Sequence, residues 1–493
     1  MRHSYAPALA ILSLFVPQQH ASSQSPYALR GTVVSPSKVT QDGSVSINGT
    51  TITSVDGTAA PSAIDVDGVI FPGLVDLHNH LSWNVFPRWK PGRFFGNRYE
   101  WQEATDYLHA LLGPHAILTD TMPPQVSHGC AMNRYAELKE IVNGATSTVG
   151  GDSLECVRGL ARNLDWLSEL TANQKLGTEL LRYLVFPFQP AIPCDEQTIR
   201  DIGKTKLHDC STFLTYPPES TSVARRVPPI LRAVVAHVAE GTDASSRREF
   251  SMLERHGYLV KGFSLIHGVG LERSQFQEMH KYGVGFVWSP RSNIELYGRT
   301  VDIAAVRSES VLTAIAPDWS PSGSTGMLAE LAYVERLRSS APFKAITDSE
   351  LVAMATVNPA TLAGLDDKIG KIESGHVADL IVMRRRPWTR STPPNSDQAK
   401  SLAYQALLMQ RPEDLKLVII GGRPIFGEPA LMTKLLPPAA LALTETIKVC
   451  GQDRLINARA GTFSGTPWSA TELELRSALA ALRIRLAEFV ECY

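Results

Sequence analysis

The 493-residue chain has no long apolar run and no excess of charge of either sign. No stretch approaches the roughly 18 uncharged apolar residues of a membrane helix, so the sequence predicts no helical membrane span. The formal net charge is −1 and the sequence pI about 6.9, which gives no electrostatic signature for nucleic acid or an anionic membrane. Internal repeats and low-complexity segments are also missing. The length and the 44 % hydrophobic composition instead indicate a globular protein of two or three domains.

Cysteine is scarce, and none of the six lies in a Cys-x-x-Cys pair, which argues against a thiolate zinc site or a redox motif. Six cysteines allow fifteen complete disulfide pairings. Proximity in the chain favours three pairs, namely Cys130 with Cys156, Cys194 with Cys210, and Cys450 with Cys492. Free buried thiols remain the alternative.

The N-terminus has the pattern of a secretory signal peptide. A short basic start at Arg2 and His3 precedes an apolar run from Ala8 to Val16, and small residues lie before Gln24. We expect residues 1–23 to be removed and the mature protein to be exported, either secreted or periplasmic. An ordinary buried N-terminal helix is the alternative.

Short alternating segments with turn signals occupy residues 24–68, and similar segments recur in residues 369–432. We expect these two flanks to combine into one small β-sandwich domain. Residues 433–493 form a C-terminal extension. In it, Ser469 to Glu472 are interpreted as the start of an amphipathic helix with an apolar stripe of Leu475, Leu479, Leu482, Leu486 and Phe489.

Residues 69–368 alternate apolar strand-like segments with helix-like stretches such as 135–142, 156–170 and 273–282. Eight such strand and helix units predict an α/β fold, specifically a (β/α)8 TIM barrel, in which the active site lies at the C-terminal ends of the strands. The eight predicted strands are Val69 to His78, Ala145 to Gly150, Leu181 to Pro187, Thr212 to Tyr216, Ala233 to Val238, Phe263 to His267, Gly283 to Trp288, and Val311 to Ala316.

Side chains able to bind a metal lie at the ends of four of these strands. The first strand ends in His78 and His80, which share a face because side chains alternate along a strand. His237 ends the fifth strand, His267 the sixth, and Asp318 follows the eighth. Each residue alone is more simply a structural histidine or a helix cap. Their convergence on one barrel rim predicts a metal site.

These motifs resemble the metal-dependent amidohydrolase superfamily, in particular its branch of cytosine and guanine deaminases and triazine hydrolases. The resemblance spans roughly residues 31–424. It is carried by PGLVDLHNH from Pro72 to His80, GATSTV from Gly144, HVAE from His237 to Glu240, His267, SPRSN from Ser289 to Asn293, Asp318, NPA from Asn358, and GKIESGHVADL from Gly370.

The resemblance implies one divalent metal, zinc or alternatively iron, bound by His78, His80, His237 and Asp318. Asp318 would also accept a proton from the metal-activated water, and Glu240 would carry a proton to the leaving nitrogen. His267 would face the substrate, support the site from behind, or act as a fifth ligand. No lysine lies in the predicted fourth strand, so a two-metal site bridged by a carboxylated lysine is disfavoured.

The implied function is hydrolysis of a non-peptide carbon–nitrogen bond in an amide, a cyclic amide or a heterocycle. Deamination or dechlorination of an aromatic ring is the alternative within the enzyme class, and a non-catalytic binding barrel is the alternative outside it. The aromatic stretch after His80 is interpreted as a loop over the barrel mouth, and a small satellite core beneath a loop is the alternative. Substrate contacts are assigned to His267, Trp83, Trp89, Trp319, Ser289 and Asn293. The sequence after the eighth strand, APDWSPSG, departs from the pattern of the relatives, and export is unusual among nucleobase deaminases. The sequence does not predict the oligomeric state.

Overall fold

The structure is a computed structural model that describes residues 25–35, 38–57, 62–122, 126–151, 160–165, 180–185, 231–255, 257–385, 396–460 and 466–492. The predicted signal peptide, the predicted strand Thr212 to Tyr216, and Cys156, Cys194 and Cys210 lie outside these ranges. Within them, no helix has both the length and the apolar character needed to cross a bilayer.

Seventeen strands lie within the described residues. In chain order, β1 to β17 are Tyr27–Val34, Val39–Asn48, Thr51–Asp56, Ile64–Pro72, Leu74–Val75, Ala145–Thr148, Arg162–Asn163, Leu180–Val185, Leu231–Val238, Phe263–His267, Gly285–Trp288, Thr313–Ile315, Leu380–Arg384, Leu415–Ile420, Arg423–Gly427, Glu445–Val449 and Gln452–Ile456.

The α-helices of the described ranges are numbered α1 to α15. They are Arg98–Gln102, Thr105–Tyr107, Gly113–Thr119, Gly129–Val142, Ala244–Arg255, Arg273–Tyr282, Pro290–Tyr297, Ile303–Ser308, Met327–Leu337, Asp348–Ala355, Val357–Leu362, Asp397–Leu408, Pro429–Leu435, Pro438–Leu441 and Trp468–Ala481. Leu108–Leu112 is a π-helical turn, and the 3-10 turns are Leu81–Val85, Phe343–Ala345, Pro412–Asp414 and Ala458–Ala460.

The two flanks of the chain share one nine-stranded sheet with the order β16-β17-β15-β14-β13-β4-β1-β2-β3. Strand β4 joins the flanks because it pairs with β1 on one side and antiparallel with β13 on the other. Successive side chains of β4 face opposite layers. Val69 and Phe71 therefore lie in the main hydrophobic core, and Ile70 lies in a second cluster with Leu380. The C-terminal extension contributes β16 and β17 to this sheet.

Eight further strands, β5 to β12, run parallel wherever they pair. They form a three-stranded sheet, β5-β6-β7, and a five-stranded sheet, β8 to β12, in chain order. The two sheets meet beyond β5 and β12, where Asn79 and Asp318 form a parallel bridge and the Asp318 N–H donates to the His78 carbonyl over 3.0 Å. Strand and helix alternate from β9 to β12, as expected for an α/β fold.

The predicted first strand is divided between the two kinds of sheet. Strand β4 ends at Pro72, and β5 begins at Leu74. A Cβ atom at Gly73 would lie 2.1 Å from Oγ1 of Thr146, so only glycine allows the chain to pass this close to β6.

The third parallel strand was predicted wrongly. Arg162–Asn163 forms β7 inside a stretch interpreted as helix, so the predicted third strand is the fourth, β8. Strand β8 pairs directly with β9. Arg162 is buried in this strand because its guanidinium makes two 3.1 Å hydrogen bonds to Asp379. A buried ion pair thus replaces the apolar side chains that would have identified the strand.

The C-terminal helix α15 begins at Trp468, and its N-cap residue Pro467 offers no side-chain hydrogen bond, although the sequence suggested capping residues. The Glu445 carboxylate accepts the Ser469 N–H over 3.0 Å instead. Leu475 and Leu479 are fully buried against the body, whereas Leu486 and Phe489 pack after the helix has ended. The predicted disulfide between Cys450 and Cys492 is confirmed. Cys130 is also disulfide-bonded, and its predicted partner Cys156 lies outside the described ranges.

Candidate metal centre and active site

Four strand ends bring five side chains that could bind a metal to one place. His78 and His80 follow β5, and His237 lies near the end of β9. His267 is the last residue of β10 and Asp318 follows β12, and both have a positive φ, 69° and 64°. Non-glycine residues seldom adopt this left-handed conformation, so the turn is imposed by the surrounding structure. Strained backbone therefore lies directly at the site.

The ligand atoms converge at spacings that suit one metal ion. Nε2 of His237 lies 3.0 Å from Nε2 of His78 and 3.2 Å from Nε2 of His80. Oδ1 of Asp318 lies 3.2 Å from Nε2 of His78 and 3.5 Å from Nε2 of His80. Tetrahedral ligands about 2.0–2.1 Å from zinc lie roughly 3.3–3.4 Å apart. The donor set of three imidazoles and one carboxylate therefore fits a single divalent ion.

The histidines are in the state that a metal requires. Burial lowers the pKa of His78, of His80 and of His267, so that the neutral imidazole is favoured. Nδ1 of His78 is 2.6 Å from Oγ of Ser289, which allows Nε2 to face the centre without a proton. Burial also raises the pKa of Asp318, an effect that a bound cation would oppose.

The loops that carry the ligands are joined by a buried chain of amides. The Nδ2 group of Asn79 donates to Asp76 over 2.6 Å and to Glu140 over 2.9 Å, and its Oδ1 accepts from Asn84 over 2.7 Å. Oδ1 of Asn84 accepts from the Ser320 N–H over 2.7 Å. Asn79 lies between two of the histidines and Ser320 lies two residues after Asp318, so this chain fixes the spacing of the two loops.

Glu240 is placed beside the metal-binding cluster without belonging to it. Its Oε1 accepts a 2.7 Å hydrogen bond from the Tyr297 hydroxyl, and its Oε2 lies 3.7 Å from Nε2 of His267. Nη1 of Arg98 lies 3.9 Å from the same Oε2. Burial raises the pKa of Glu240 to about 7, against the opposing charge of Arg98. A carboxyl group of this kind can hold or release a proton near neutral pH.

A cavity of about 180 Å³ opens in front of these groups. Its walls combine the candidate metal ligands with four aromatic side chains, and they include Glu240 and Arg98. The lining residues are His80, Trp83, Arg98, Trp101, Gln102, Tyr107, His237, Glu240, His267, Leu296, Asp318 and Trp319. Of the predicted substrate contacts, His267, Trp83 and Trp319 lie on this wall.

Three other predicted substrate contacts lie behind the wall of this cavity. Trp89 packs on Phe95 and donates to Asp106 over 3.0 Å. Ser289 contacts His78 as described, and Oδ1 of Asn293 lies 2.8 Å from Nδ1 of His267. Ser289 and Asn293 therefore orient histidines and do not line the cavity. The SPRSN motif thus belongs to the site as predicted. Its Ser289 and Asn293 side chains contact the histidine rings, however, and not the cavity.

The sequence did not identify Arg98 or Tyr297 as site residues, and it indicated Trp101 only as part of the aromatic stretch after His80. Arg98 and Trp101 belong to α1 in the aromatic stretch after His80, whose aromatic content indicated a wall but not an ion pair. Tyr297 ends α7, eight residues after Ser289, and no local pattern relates it to Glu240.

Tyr183 is a further residue at the centre that the sequence did not indicate. It lies in β8, and its hydroxyl is 3.3 Å from Nε2 of His80. The fourth parallel strand, LLRYLV, contains no lysine. This agrees with a single-metal centre.

Comparison with known proteins supports the same interpretation. A profile of the amidohydrolase family matches residues 232–425, from β9 through β15. A 5-methylthioadenosine/S-adenosylhomocysteine deaminase of Syntrophomonas wolfei is 24 % identical over 401 residues, which cover 75 % of this chain and 84 % of the relative. The chain contains an amidohydrolase family domain, which supports membership of the metal-dependent amidohydrolase superfamily. The predicted resemblance to the amidohydrolase family is confirmed.

Other curated relatives of this amidohydrolase match over shorter segments. A 5'-deoxyadenosine deaminase of Methanobrevibacter smithii is 25 % identical over 177 residues, 34 % of this chain and 39 % of the relative. A 5-methylthioadenosine/S-adenosylhomocysteine deaminase of Symbiobacterium thermophilum is 26 % identical over 228 residues, 43 % of this chain and 51 % of the relative. The chain thus spans about half or less of these two proteins.

Solved structures share the fold of this amidohydrolase at low identity. An adenosine deaminase from Xanthomonas campestris with bound zinc has a TM-score of 0.58 and 16 % identity, with 94 % of this chain and 99 % of that chain covered. A guanine deaminase from Bradyrhizobium japonicum has a TM-score of 0.55 and 16 % identity, with 81 % and 99 % covered. At this identity the likeness establishes the fold and leaves the substrate open.

Proposed function

We propose that this amidohydrolase is an exported, metal-dependent hydrolase that cleaves a carbon–nitrogen bond of a small, flat heterocycle or cyclic amide. The observation that carries the proposal is the placement of Glu240. Its carboxyl group, with a pKa near 7, shares one cavity with His80, His237 and Asp318. A metal-binding cluster and a proton-carrying group facing one cavity are the parts that hydrolysis of such a bond requires.

His78, His80, His237 and Asp318 would hold the metal. A divalent ion bound there would lower the pKa of a bound water toward neutrality and so supply a nucleophile. Asp318, which lies among the histidines with its backbone tied to the His78 carbonyl, accepts a proton from the attacking water.

Glu240 then delivers a proton to the leaving nitrogen. Its position on the cavity wall, 3.7 Å from His267, allows it to contact the substrate without acting as a ligand. His267 presents Nε2 to the cavity and orients the substrate atom next to the reacting carbon.

The aromatic wall supports a flat substrate. Trp319 lies 5.4 Å from Trp83 and 5.7 Å from Trp101 between ring centroids, so the three rings form one continuous apolar surface. A planar ring stacks favourably on such a surface. A volume of about 180 Å³ is below the roughly 300–1,000 Å³ usual for drug-sized ligands, which suits a substrate of one or two rings.

Removal of an amino group from a heterocycle is the specific reaction that the relatives favour. The three curated relatives described above carry deaminase names, and one of them matches over most of its length. Hydrolysis of an amide or cyclic amide uses the same residues in the same roles. A dechlorinase of an aromatic ring and a non-catalytic binding barrel remain as alternatives.

Two parts of the proposal concern the whole chain. We infer that β5 to β12 close into a (β/α)8 barrel, since the strands follow chain order and the two sheets meet at Asn79 and Asp318. The flanking strands would then form the accompanying β-sandwich.

Export is supported by the N-terminal sequence and by the disulfide Cys450–Cys492, because disulfides persist in oxidising compartments.

Two experiments test the proposal. Secreted protein should begin near Gln24, and material that still begins at Met1 would contradict export. Purified mature protein should contain about one zinc or iron per chain and hydrolyse a member of a panel of aminoheterocycles, cyclic imides, amides and dipeptides. Ammonia release from an aminoheterocycle would establish the deaminase. Metal-loaded protein that turns over no member of the panel would instead favour the non-catalytic alternative.

A further inference from the structure

The aromatic segment after His80 is bound directly to the turn that carries Glu240. The Arg98 N–H donates to the Glu240 carbonyl over 3.1 Å, and Asn97 forms a bridge with Gly241. Nη2 of Arg98 makes a 2.7 Å ion pair with Glu249, which also accepts the Ala239 N–H over 2.7 Å. Helix α1 is therefore fixed to the end of β9 by both backbone and charge.

From this helix a chain of two hydrogen bonds reaches the side chain of Glu240. Nε1 of Trp101 donates to the Tyr297 hydroxyl over 2.8 Å, and that hydroxyl donates to Oε1 of Glu240 over 2.7 Å. A tyrosine hydroxyl has a single proton to donate. Because Trp101 occupies an acceptor position of the hydroxyl, the proton of Tyr297 is directed to Glu240. All three side chains are buried, so both hydrogen bonds form away from bulk water.

This chain determines which oxygen of Glu240 is available. Oε1 is held by Tyr297, so Oε2 faces Nε2 of His267 at 3.7 Å and Nη1 of Arg98 at 3.9 Å. The ring of Trp101 also lines the cavity. Trp101 therefore has two contacts: its ring forms part of the cavity wall, and its N–H orients the hydroxyl of Tyr297.

We infer that Tyr297 and Trp101 are positioning residues that hold the carboxyl group of Glu240 in its working orientation. The inference rests on the proposed role of Glu240 as the proton carrier. Neither residue needs to touch the reacting atoms through its polar group, since both act through Glu240. The aromatic segment after His80 then has two roles. It forms part of the wall that contacts the substrate, and it orients the carboxyl group of Glu240.

A double-mutant cycle on the metal-loaded enzyme tests this inference. Tyr297→Phe should lower kcat about 10- to 100-fold, the effect of losing a hydrogen bond to a charged group, with little change in KM. In the Glu240→Gln background, Tyr297→Phe should lower kcat by less than about 2-fold, because the group through which it acts has been replaced. Equal losses in the two backgrounds would overturn the inference, since a merely structural role would be additive.

Two controls separate orientation from folding. Trp101→Phe keeps an aromatic wall but removes the N–H, and it should show the same dependence on Glu240. Tyr135→Phe removes another buried tyrosine hydroxyl, which donates to the Ala487 carbonyl away from the cavity lining. That variant should lose stability and keep kcat within about 2-fold.

A crystal structure of Tyr297→Phe decides the inference even if the parent protein hydrolyses no tested compound. The carboxyl group of Glu240 should leave its position or occupy several orientations, while His78 and His237 keep theirs. A Glu240 side chain with the same single orientation in the parent and in Tyr297→Phe would overturn the inference. Absence of turnover by the parent would count against the proposed function alone.

Discussion

Nδ1 of His267 donates a hydrogen bond to Oδ1 of Asn293 over 2.8 Å. Asn293 is held in turn, because its Nδ2 donates to Oγ1 of Thr300 over 3.1 Å and Trp288 donates to the same oxygen over 2.8 Å. A carbonyl oxygen can only accept, so the proton of neutral His267 lies on Nδ1. Nε2 therefore faces the cavity as an acceptor, which is the form in which it can orient a substrate or contact a metal.

Replacing Asn293 should impair catalysis through the orientation of His267. We expect Asn293→Leu to lower kcat/KM or metal affinity about 10- to 100-fold, the usual effect of losing a group that orients a site histidine. Asn293→Asp keeps an acceptor and should retain most of the activity. Steady-state kinetics and metal content distinguish the two variants. Equal losses in both would show that the orientation of His267 does not depend on an accepting oxygen at position 293.

Glu137 should make the protein less stable as the pH rises. Its side chain is buried in α4, where Oε2 accepts the Leu160 N–H over 2.6 Å and Oε1 has no partner among the described atoms. Burial raises the pKa of Glu137 from 4.5 to about 8. The folded protein therefore keeps a proton that the unfolded chain has lost, and the resulting stabilisation is full below pH 4.5 and disappears as the pH rises through about 8.

Glu137→Gln isolates this effect because glutamine keeps the shape and cannot ionise. Between pH 5 and 8 the free energy of unfolding of the parent should fall, relative to that of the variant, by up to about 1.4 kcal/mol per pH unit. Urea unfolding at several pH values measures the difference. Parallel curves for the two proteins would show that Glu137 ionises in the folded protein as it does in the unfolded chain.

The disulfide Cys450–Cys492 should stabilise the C-terminal segment on the body. The Ala487 N–H donates to the Val85 carbonyl over 2.9 Å, and Nη2 of Arg291 lies 3.1 Å from Glu491. Replacing both cysteines by serine should lower the free energy of unfolding by about 2–4 kcal/mol, measured by urea denaturation. The parent in a reducing agent should approach the double variant, and an unchanged midpoint in the double variant would contradict a stabilising role.

The sequence predicts the strand ends of this site well for a physical reason. Buried parallel strands are continuous apolar runs, so a histidine or aspartate at the end of such a run is conspicuous. His78, His80, His237, His267 and Asp318 were found in this way, and they do converge. The pairing of the two flanks was also expected from their short alternating segments.

Long-range polar contacts explain what the sequence did not predict. Strand β7 has only two residues, and Arg162 is buried there because Asp379, more than 200 positions later, neutralises it. Tyr297 and Glu240 are 57 positions apart, and nothing local to either residue predicts their hydrogen bond. Periodicity reports which face of an element is buried, but it does not report partners from other elements.

Metal binding should depend on the histidines whose nitrogens meet. Replacing His78 or His237 by alanine removes one ligand and breaks the 3.0 Å pair of Nε2 atoms. We expect each variant to lose bound metal and activity, and metal analysis of protein purified with equimolar zinc measures the loss. His115→Ala, which removes a histidine stacked on Trp83 and not one of the proposed ligands, should keep its metal. Full metal retention by the His78→Ala/His237→Ala double variant would show that the site lies elsewhere.

The kcat of Glu240→Gln at full metal occupancy tests the central claim most directly. Glutamine keeps the shape of the side chain but cannot carry a proton, so kcat should fall about 10²- to 10⁴-fold while the metal content stays at that of the parent. Asp318→Asn should differ, losing activity together with metal affinity, because Asp318 is assigned as both ligand and proton acceptor. If Glu240→Gln loses the metal while Asp318→Asn keeps it, the two roles are reversed and the mechanism proposed for this site is wrong.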